Sequence, residues 1–405
     1  MSDFFGKTYN TRIVIVIITM LAVYPAVFMN ASKQNIILLA IMGVSPMIWL
    51  FYRFIVPRID IPFITMYVLM FVAPMVFHPT TMRWSTLLYT GMYISLFLAY
   101  VKVLKRSNID KKTLLNILKY IIYAYCIVLI IQQFCFFAGF PIFNAINIDI
   151  DNGFPRLNSI GPEPSWAARN ICLITFVYVC LYYNITEEKL SLKEFFKNNK
   201  WVSLSFLWVI VTGGSATGII LSLLVIFKFS NWKSILLILS SIILIFSIGK
   251  ITGNQSIERF SKFIPAVLTM DEQAIWNADS SGASRIVPTI QVAKHLSLTT
   301  LDGLFGYGVD YDTTVVKIPG IKANGGAFSL WINHGAIVMF IFWGAILSIC
   351  RIKGEPISLL FCIFFLFGGI TINLQILWFM LVLFETYKFV TENKTKEKDV
   401  ILNTN

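Results

Sequence analysis

In a chain only 13% charged, the residues able to do ionic chemistry gather in two stretches. GFPRLNSIGPEPSWAAR (153–169) sets Arg156, Glu163 and Arg169 among prolines, and SGASRIVPTIQVAKHL (281–296) sets Arg285 shortly before Pro288. Proline suits the first turn of a helix, so Pro162 and Pro164 place Glu163 near a helix N-terminus, where the macrodipole favours its negative charge. Pro288 likewise marks the start of a short helix. Arg285 beside that start could form a phosphate cradle, because guanidinium donors and free backbone N–H groups would converge there. Arg259, in SIERFSKF, stands at the mouth of an apolar run. A purely structural reading is also open, with Glu163 a helix-terminal charge, Arg156 an interfacial anchor and the loop arginines solvated. Arg169 resists that reading. It falls about a turn inside an apolar run, and an ionisable residue at that depth usually faces a polar cavity.

These stretches hang on an apolar frame. Of 405 residues, 57% are hydrophobic and 15% aromatic, and the mean hydropathy is +0.74. A soluble domain carries about 25% charged residues, roughly twice the share found here. Apolar runs of this kind read as membrane helices, so the expected fold is an all-α polytopic membrane protein with about twelve transmembrane helices. The expected spans are 12–29, 36–53, 60–77, 84–101, 114–138, 166–183, 201–213, 215–228, 234–249, 329–349, 357–371 and 374–390. The seventh and eighth are short and share the turn TGGSATG (212–218), whose small residues suit close helix packing. The first run resembles a signal peptide's apolar region, but the runs after it favour a retained span.

Basic residues set the orientation. With the N-terminus in the cytoplasm, Arg53 and Arg58, KVLKRSNIDKK (102–112), EEKLSLKEFFKNNK (187–200), Lys228 and Lys233, Arg351 and Lys353, and the KTKEKD tail all fall inside. That places about 22 of the 33 lysines and arginines on the cytoplasmic side, with both termini. The net charge of +12 is then mainly a topology signal, and no basic stripe or motif asks for nucleic acid.

This topology leaves two long loops outside, 139–165 and 250–328, within a single transmembrane domain (1–405). Loops of such length invite a functional reading. At about 80 residues the second is near the lower limit for independent folding, so it should rest on the helix bundle. All six cysteines fall in apolar spans, which leaves the loops without disulfides and makes these thiols small buried hydrophobes. His78, His295 and His334 form no metal-binding motif, and neither metal nor cofactor is expected.

With these residues on the page, the chain resembles the O-antigen polymerase (Wzy) and exopolysaccharide polymerase family, related to the O-antigen ligases. The resemblance lies in the many-span layout with two arginine-bearing periplasmic loops. It lies also in Arg156 followed by Gly161, Glu163, Pro164 and Ser165, in Ser284-Arg285, in LFGYG (304–308), and in the glycine-bearing span at SLWINHGAIV. The layout covers nearly the whole chain and the short motifs about a fifth of it.

The resemblance implies a GT-C-like helical glycosyltransferase of the bacterial inner membrane, metal-independent and acting on the periplasmic side. Its substrates would be oligosaccharide repeats on undecaprenyl diphosphate, with a chain-length regulator as an additional partner. The growing glycan would pass from one lipid diphosphate to the non-reducing sugar of the next unit. Arg156, Arg285, Arg169 and Arg259 would bind diphosphate. Guanidiniums suit that task, being planar, permanently charged and bidentate. A base must take the acceptor's proton; Glu163 is the first candidate and His334, whose side-chain type titrates nearest neutrality, the second.

Two departures bear on the alternatives. Ligases carry a His-Asn pair about ten residues before the glycine matching Gly335, where this chain reads KANGGAF (322–328), which weakens the ligase reading. Many relatives have arginine where Ala216 stands. A flippase or other transporter would show internal repeats and mid-span polar residues, whereas the polar groups here cluster in the outer loops.

Overall fold

The computed structural model describes residues 6–29, 35–51, 59–148, 155–188, 191–213, 215–229, 262–263, 265–317 and 326–402. Within them the architecture is helical. Among the described residues, nine α-helices precede the second long loop: α1 (Lys7–Ala22), α2 (Ile36–Phe51), α3 (Asp60–Phe77), α4 (Trp84–Lys105), α5 (Lys111–Phe137), α6 (Pro164–Thr186), α7 (Leu192–Asn198), α8 (Lys200–Thr212) and α9 (Ala216–Phe227). The loop itself contributes α10 (Glu272–Ala278), α11 (Ser280–Ala293), α12 (Leu301–Phe305) and α13 (Asp312–Val315). The chain closes with α14 (Ser329–His334), α15 (Ala336–Cys350), α16 (Ile357–Phe367) and α17 (Gln375–Leu402).

Among the described residues, four helices, α3 to α6, are long and apolar enough to cross a membrane, and α2, α8, α9, α15 and α16 are shorter apolar helices. This is compatible with a multi-pass membrane protein. Burial separates inner from outer helices: 89% of the apolar window of α6 is buried, against 33% in α3 and 39% in α5. The latter two therefore keep an outward apolar face, as a lipid-facing helix must. The first half of α17 packs beside α6, with Trp378, Phe379 and Phe384 fully buried and Trp378 stacked on Tyr93 of α4. Where α9 crosses α6, an added Cβ on Gly218 would lie 2.6 Å from the Ala168 Cβ, so the small residue there permits a close crossing.

The expected boundaries coincide for 60–77 and lie within one residue for 201–213 and 215–228, whereas α1 runs from Lys7 to Ala22 instead of 12–29 and α17 continues to Leu402 instead of ending at 390. Residue 114 is not the start of α5, because Asp110 caps that helix by accepting the Thr113 N–H at 2.9 Å. The run 329–349 is not one helix. It breaks between α14 and α15 at Gly335, which has φ +92°. A side chain there would run into the Leu304 carbonyl, and one on Gly306 (φ +96°) into the Asn333 carbonyl. Backbone meets backbone at this point, with Tyr307 N–H donating to the Ile332 carbonyl at 2.9 Å. Gly306 of LFGYG and Gly335 of WINHG therefore serve one close approach, whereas Gly308 lies against Thr81. The expected span 234–249 lies outside the described residues.

The polypeptide sorts its polar residues by end. At one end of α4, Asn10 donates to the Arg106 carbonyl; at the other, Arg83 and Thr86 both bond Asp310 of the second loop at 2.9 Å. Lys228 pairs with Glu355, joining two of the basic segments that the charge pattern groups together. The described part of the second loop rests on the bundle. Its small core of Ile275, Ala283, Val287 and Val292 includes Ile332 of α14, and His78 meets Asp302 at 3.2 Å.

Pro288 does not open a helix. It lies inside α11, which starts eight residues earlier, where the Asp279 side chain accepts the Gly282 N–H at 3.1 Å and its carbonyl the Ala283 N–H at 2.8 Å. Arg285 is thus mid-helix, and the expected cradle of guanidinium and free N–H groups at Pro288 is replaced by the guanidinium alone.

Candidate functional site

Positioning begins with a buried polar knot. The Gln132 side chain of α5 accepts the Ser159 N–H at 2.7 Å and donates to the Phe143 carbonyl at 2.8 Å. Asn144 donates to the Ser159 carbonyl at 2.7 Å, and Asn158 donates to Gly161 at 2.6 Å. Buried amides with this many partners rigidify loop segments that have no helix of their own among the described residues. The knot delivers the chain to Pro162, after which Glu163 takes an extended conformation and its carbonyl accepts the first N–H groups of α6, from Trp166 and Ala167.

As the proline pattern suggested, Glu163 stands at a helix N-terminus. Its side chain, however, does not cap the helix. The carboxylate accepts the Ser165 hydroxyl and lies 3.6 Å from Arg285 Nη2, which also donates to Ser165 Oγ at 3.2 Å. Side-chain exposures of 26% for Arg285 and 34% for Glu163 keep this pair within reach of a ligand. Arg169, one turn further along α6, is 4% exposed and donates to the Gly368 carbonyl at 3.0 Å. It lies close enough to Arg285 and Glu163 for both charges to act on it. Gly369, with φ +80°, passes beneath Arg285, so an added Cβ would sit 3.8 Å from the arginine Cβ. Both arginines therefore meet the turn that ends α16.

One cavity adjoins this cluster, and a second lies next to the first. One of about 240 Å³ has Glu163 and Trp166 in its wall, and the other, about 160 Å³, is lined by His334, Asp310 and Asp312; Asn373 borders both. His334 is 4% exposed, and its Nδ1 is buried without a hydrogen-bond partner. Asp312 accepts the Ser329 hydroxyl, and its own N–H donates to Asn333 Oδ1 at 2.9 Å.

Glu163, Arg169 and Arg285 are thus brought together from both sequence stretches, while His334 lines the neighbouring cavity. Arg156 is partly buried on the segment entering the knot. Arg259 lies outside the described residues. Sequence reasoning missed Asp310, Asp312 and the Gly368-Gly369 turn. Their signals were present: two carboxylates directly after LFGYG, and a glycine pair interrupting an apolar run.

Comparison with protein-family models, with curated proteins and with solved structures finds no match to the chain. The site's own chemistry therefore carries the functional argument. Two guanidiniums and one carboxylate leave a net positive charge beside a cavity, an arrangement that can hold an anionic group by charge-assisted hydrogen bonds while presenting a carboxylate to a second group.

Proposed function

We propose that the protein is a surface-polysaccharide or O-antigen polymerase. It would transfer a growing glycan from undecaprenyl diphosphate to the next lipid-linked repeat unit. The observation that carries this reading is the placement of Glu163 between the Arg285–Arg169 pair and a cavity. In this account the acceptor hydroxyl attacks the anomeric carbon, and the bond from that carbon to the diphosphate oxygen breaks. The electron pair leaves with the diphosphate, and the acceptor proton goes to Glu163. Charge on the leaving group grows through an oxocarbenium-like transition state, so fixed guanidiniums stabilise the transition state more than the ground state. The full proposal includes a GT-C-like bundle of about twelve spans in the bacterial inner membrane, with a periplasmic site and cytoplasmic termini.

An O-antigen ligase would use the same leaving group with lipid A-core as acceptor, and a flippase would make no glycosidic bond. Purified protein in lipid nanodiscs, given undecaprenyl-diphosphate-linked repeats and excess chelator, is expected to form a ladder of multimers. Transfer only to lipid A-core, or no transfer at all, overturns the polymerase reading. Activity abolished by chelator and restored by a divalent cation removes the arginine-only account of the leaving group.

A further inference from the structure

The larger cavity has a lining that diphosphate chemistry does not explain. Among the described residues that form its wall, Glu163 alone is charged; Tyr24, Tyr89 and Trp166 supply aromatic surface, and Asn35, Asn147 and Asn373 supply amides. Asn35 is the informative member. Its Oδ1 caps α2, accepting the N–H groups of Ile37 at 3.1 Å and Leu38 at 3.2 Å. Its Nδ2 is buried without a partner, although the residue is only 3% exposed. A buried donor left unpaired is uncommon in a folded protein and asks for an acceptor.

The lining discriminates among occupants. An anion would meet no cation among the described residues of this wall and would face the Glu163 carboxylate. An acyl chain would bury the amides against hydrocarbon, which costs free energy for every unpaired polar group. A pyranose ring satisfies both kinds of surface, because its C–H faces pack on aromatic rings and its hydroxyls bond amides as donor or acceptor. We infer that this cavity is the subsite for a neutral sugar ring of the lipid-linked substrate, with Asn35 Nδ2 donating to a ring hydroxyl and Trp166 packed on a ring face. The inference rests on the polymerase reading and adds a division of labour to it. The sugar lies on one side of Glu163, and the diphosphate at Arg285 and Arg169 on the other.

The test uses the full-length protein in nanodiscs and saturation-transfer NMR with methyl glycosides of glucose, N-acetylglucosamine and rhamnose, with methyl glucuronide as the charged comparison. At least one neutral glycoside is expected to receive transfer at its ring protons, reduced tenfold or more in Trp166→Ala and Asn35→Asp. Asn35→Asp keeps the oxygen that caps α2 and exchanges the donor for a carboxylate oxygen, so a folded protein with lost binding locates the proposed contact at Asn35. No transfer to any neutral glycoside, preferential transfer to the glucuronide, or equal transfer in wild type and both variants overturns the inference. Polymerisation assayed on the same samples separates the two readings. Glycoside binding without any polymerisation overturns the polymerase and leaves the sugar subsite. Polymerisation at wild-type KM in both variants overturns the subsite and leaves the polymerase.

Discussion

The Arg285 guanidinium stands 3.6 Å from the Glu163 carboxylate, and the Ser165 hydroxyl connects them. Because both side chains are partly exposed, their attraction is screened, and such pairs contribute only about 0–1 kcal/mol. The contact is therefore exchangeable. A diphosphate, with more charge than one carboxylate, can take Arg285 from Glu163 and free that carboxylate to face the cavity.

Arg285→Ala should accordingly lower polymerisation turnover by about two to three orders of magnitude, by analogy with oxyanion-stabilising groups worth roughly 3–4 kcal/mol. Lysine should rescue only in part, since a point charge cannot reproduce the planar fork. Turnover and repeat-length distribution at matched membrane levels measure this. An Arg285→Lys protein with wild-type turnover would mean the group is a simple surface charge.

The break at Gly335 gives a stability prediction with an internal control. Gly335→Ala combines a left-handed backbone with a collision against the Leu304 carbonyl, so it should destabilise by about 1–3 kcal/mol or more. Gly344, in the same α15, has nothing within 4 Å of an added Cβ, and alanine there should be neutral or stabilising by up to about 1 kcal/mol. Thermal unfolding in detergent distinguishes the two; equal midpoints would show that the 304–308 and 332–335 segments are not pressed together.

The same break shows what the sequence could and could not reveal. Hydrophobic runs disclosed α3 to within a residue, because the period and length of an apolar helix are local properties. The interruption at Gly335 depends on Leu304, which no local pattern connects to it. Prolines and the macrodipole placed Glu163 correctly, whereas the same argument misplaced Arg285. Pro288 is compatible with a helix start, but Asp279 had already begun one. That Arg285 and Arg169 share the Gly368-Gly369 turn is long-range information, and a glycine pair in an apolar run signals only that a helix ends.

Acid should loosen the second loop. Partial burial pushes the Glu272 carboxyl up, but hydrogen bonds from Lys294 and Gln291, with the Lys294 charge, more than offset this and hold it below its ordinary value. A depressed carboxylate contributes stability that is present above its unfolded pKa of about 4.3 and is lost as pH falls through the lower folded value. Hydrogen exchange across α10 and α11 should therefore show protection, corrected for intrinsic rates, falling from about pH 5 downward. Glu272→Gln should flatten that dependence. Protection unchanged on acidification in the wild type would mean that the Glu272 contacts do not hold the loop.

The identity of the base is decided by comparing two glutamine variants. Glu163→Gln keeps the shape and the bond to Ser165 and removes both charge and basicity. A lost general base lowers turnover by about 10²- to 10⁴-fold, and with Arg285 and Arg169 intact the KM for lipid-linked repeats should change little. The acid limb of the pH–rate profile should also disappear, since nothing at that position would remain to be deprotonated. A merely structural Glu163, holding Arg285 in place, behaves differently: its glutamine variant would raise KM and preserve the limb. His334 lines the neighbouring cavity with an unpartnered Nδ1, which makes it the rival base among the described residues. His334→Gln is expected to lower turnover by no more than about tenfold, because on this account it shapes a neighbouring wall and takes no proton. The reverse pattern, with Glu163→Gln mild and His334→Gln severe and its acid limb lost, would move the proton transfer to His334 and leave Glu163 as the partner that positions Arg285.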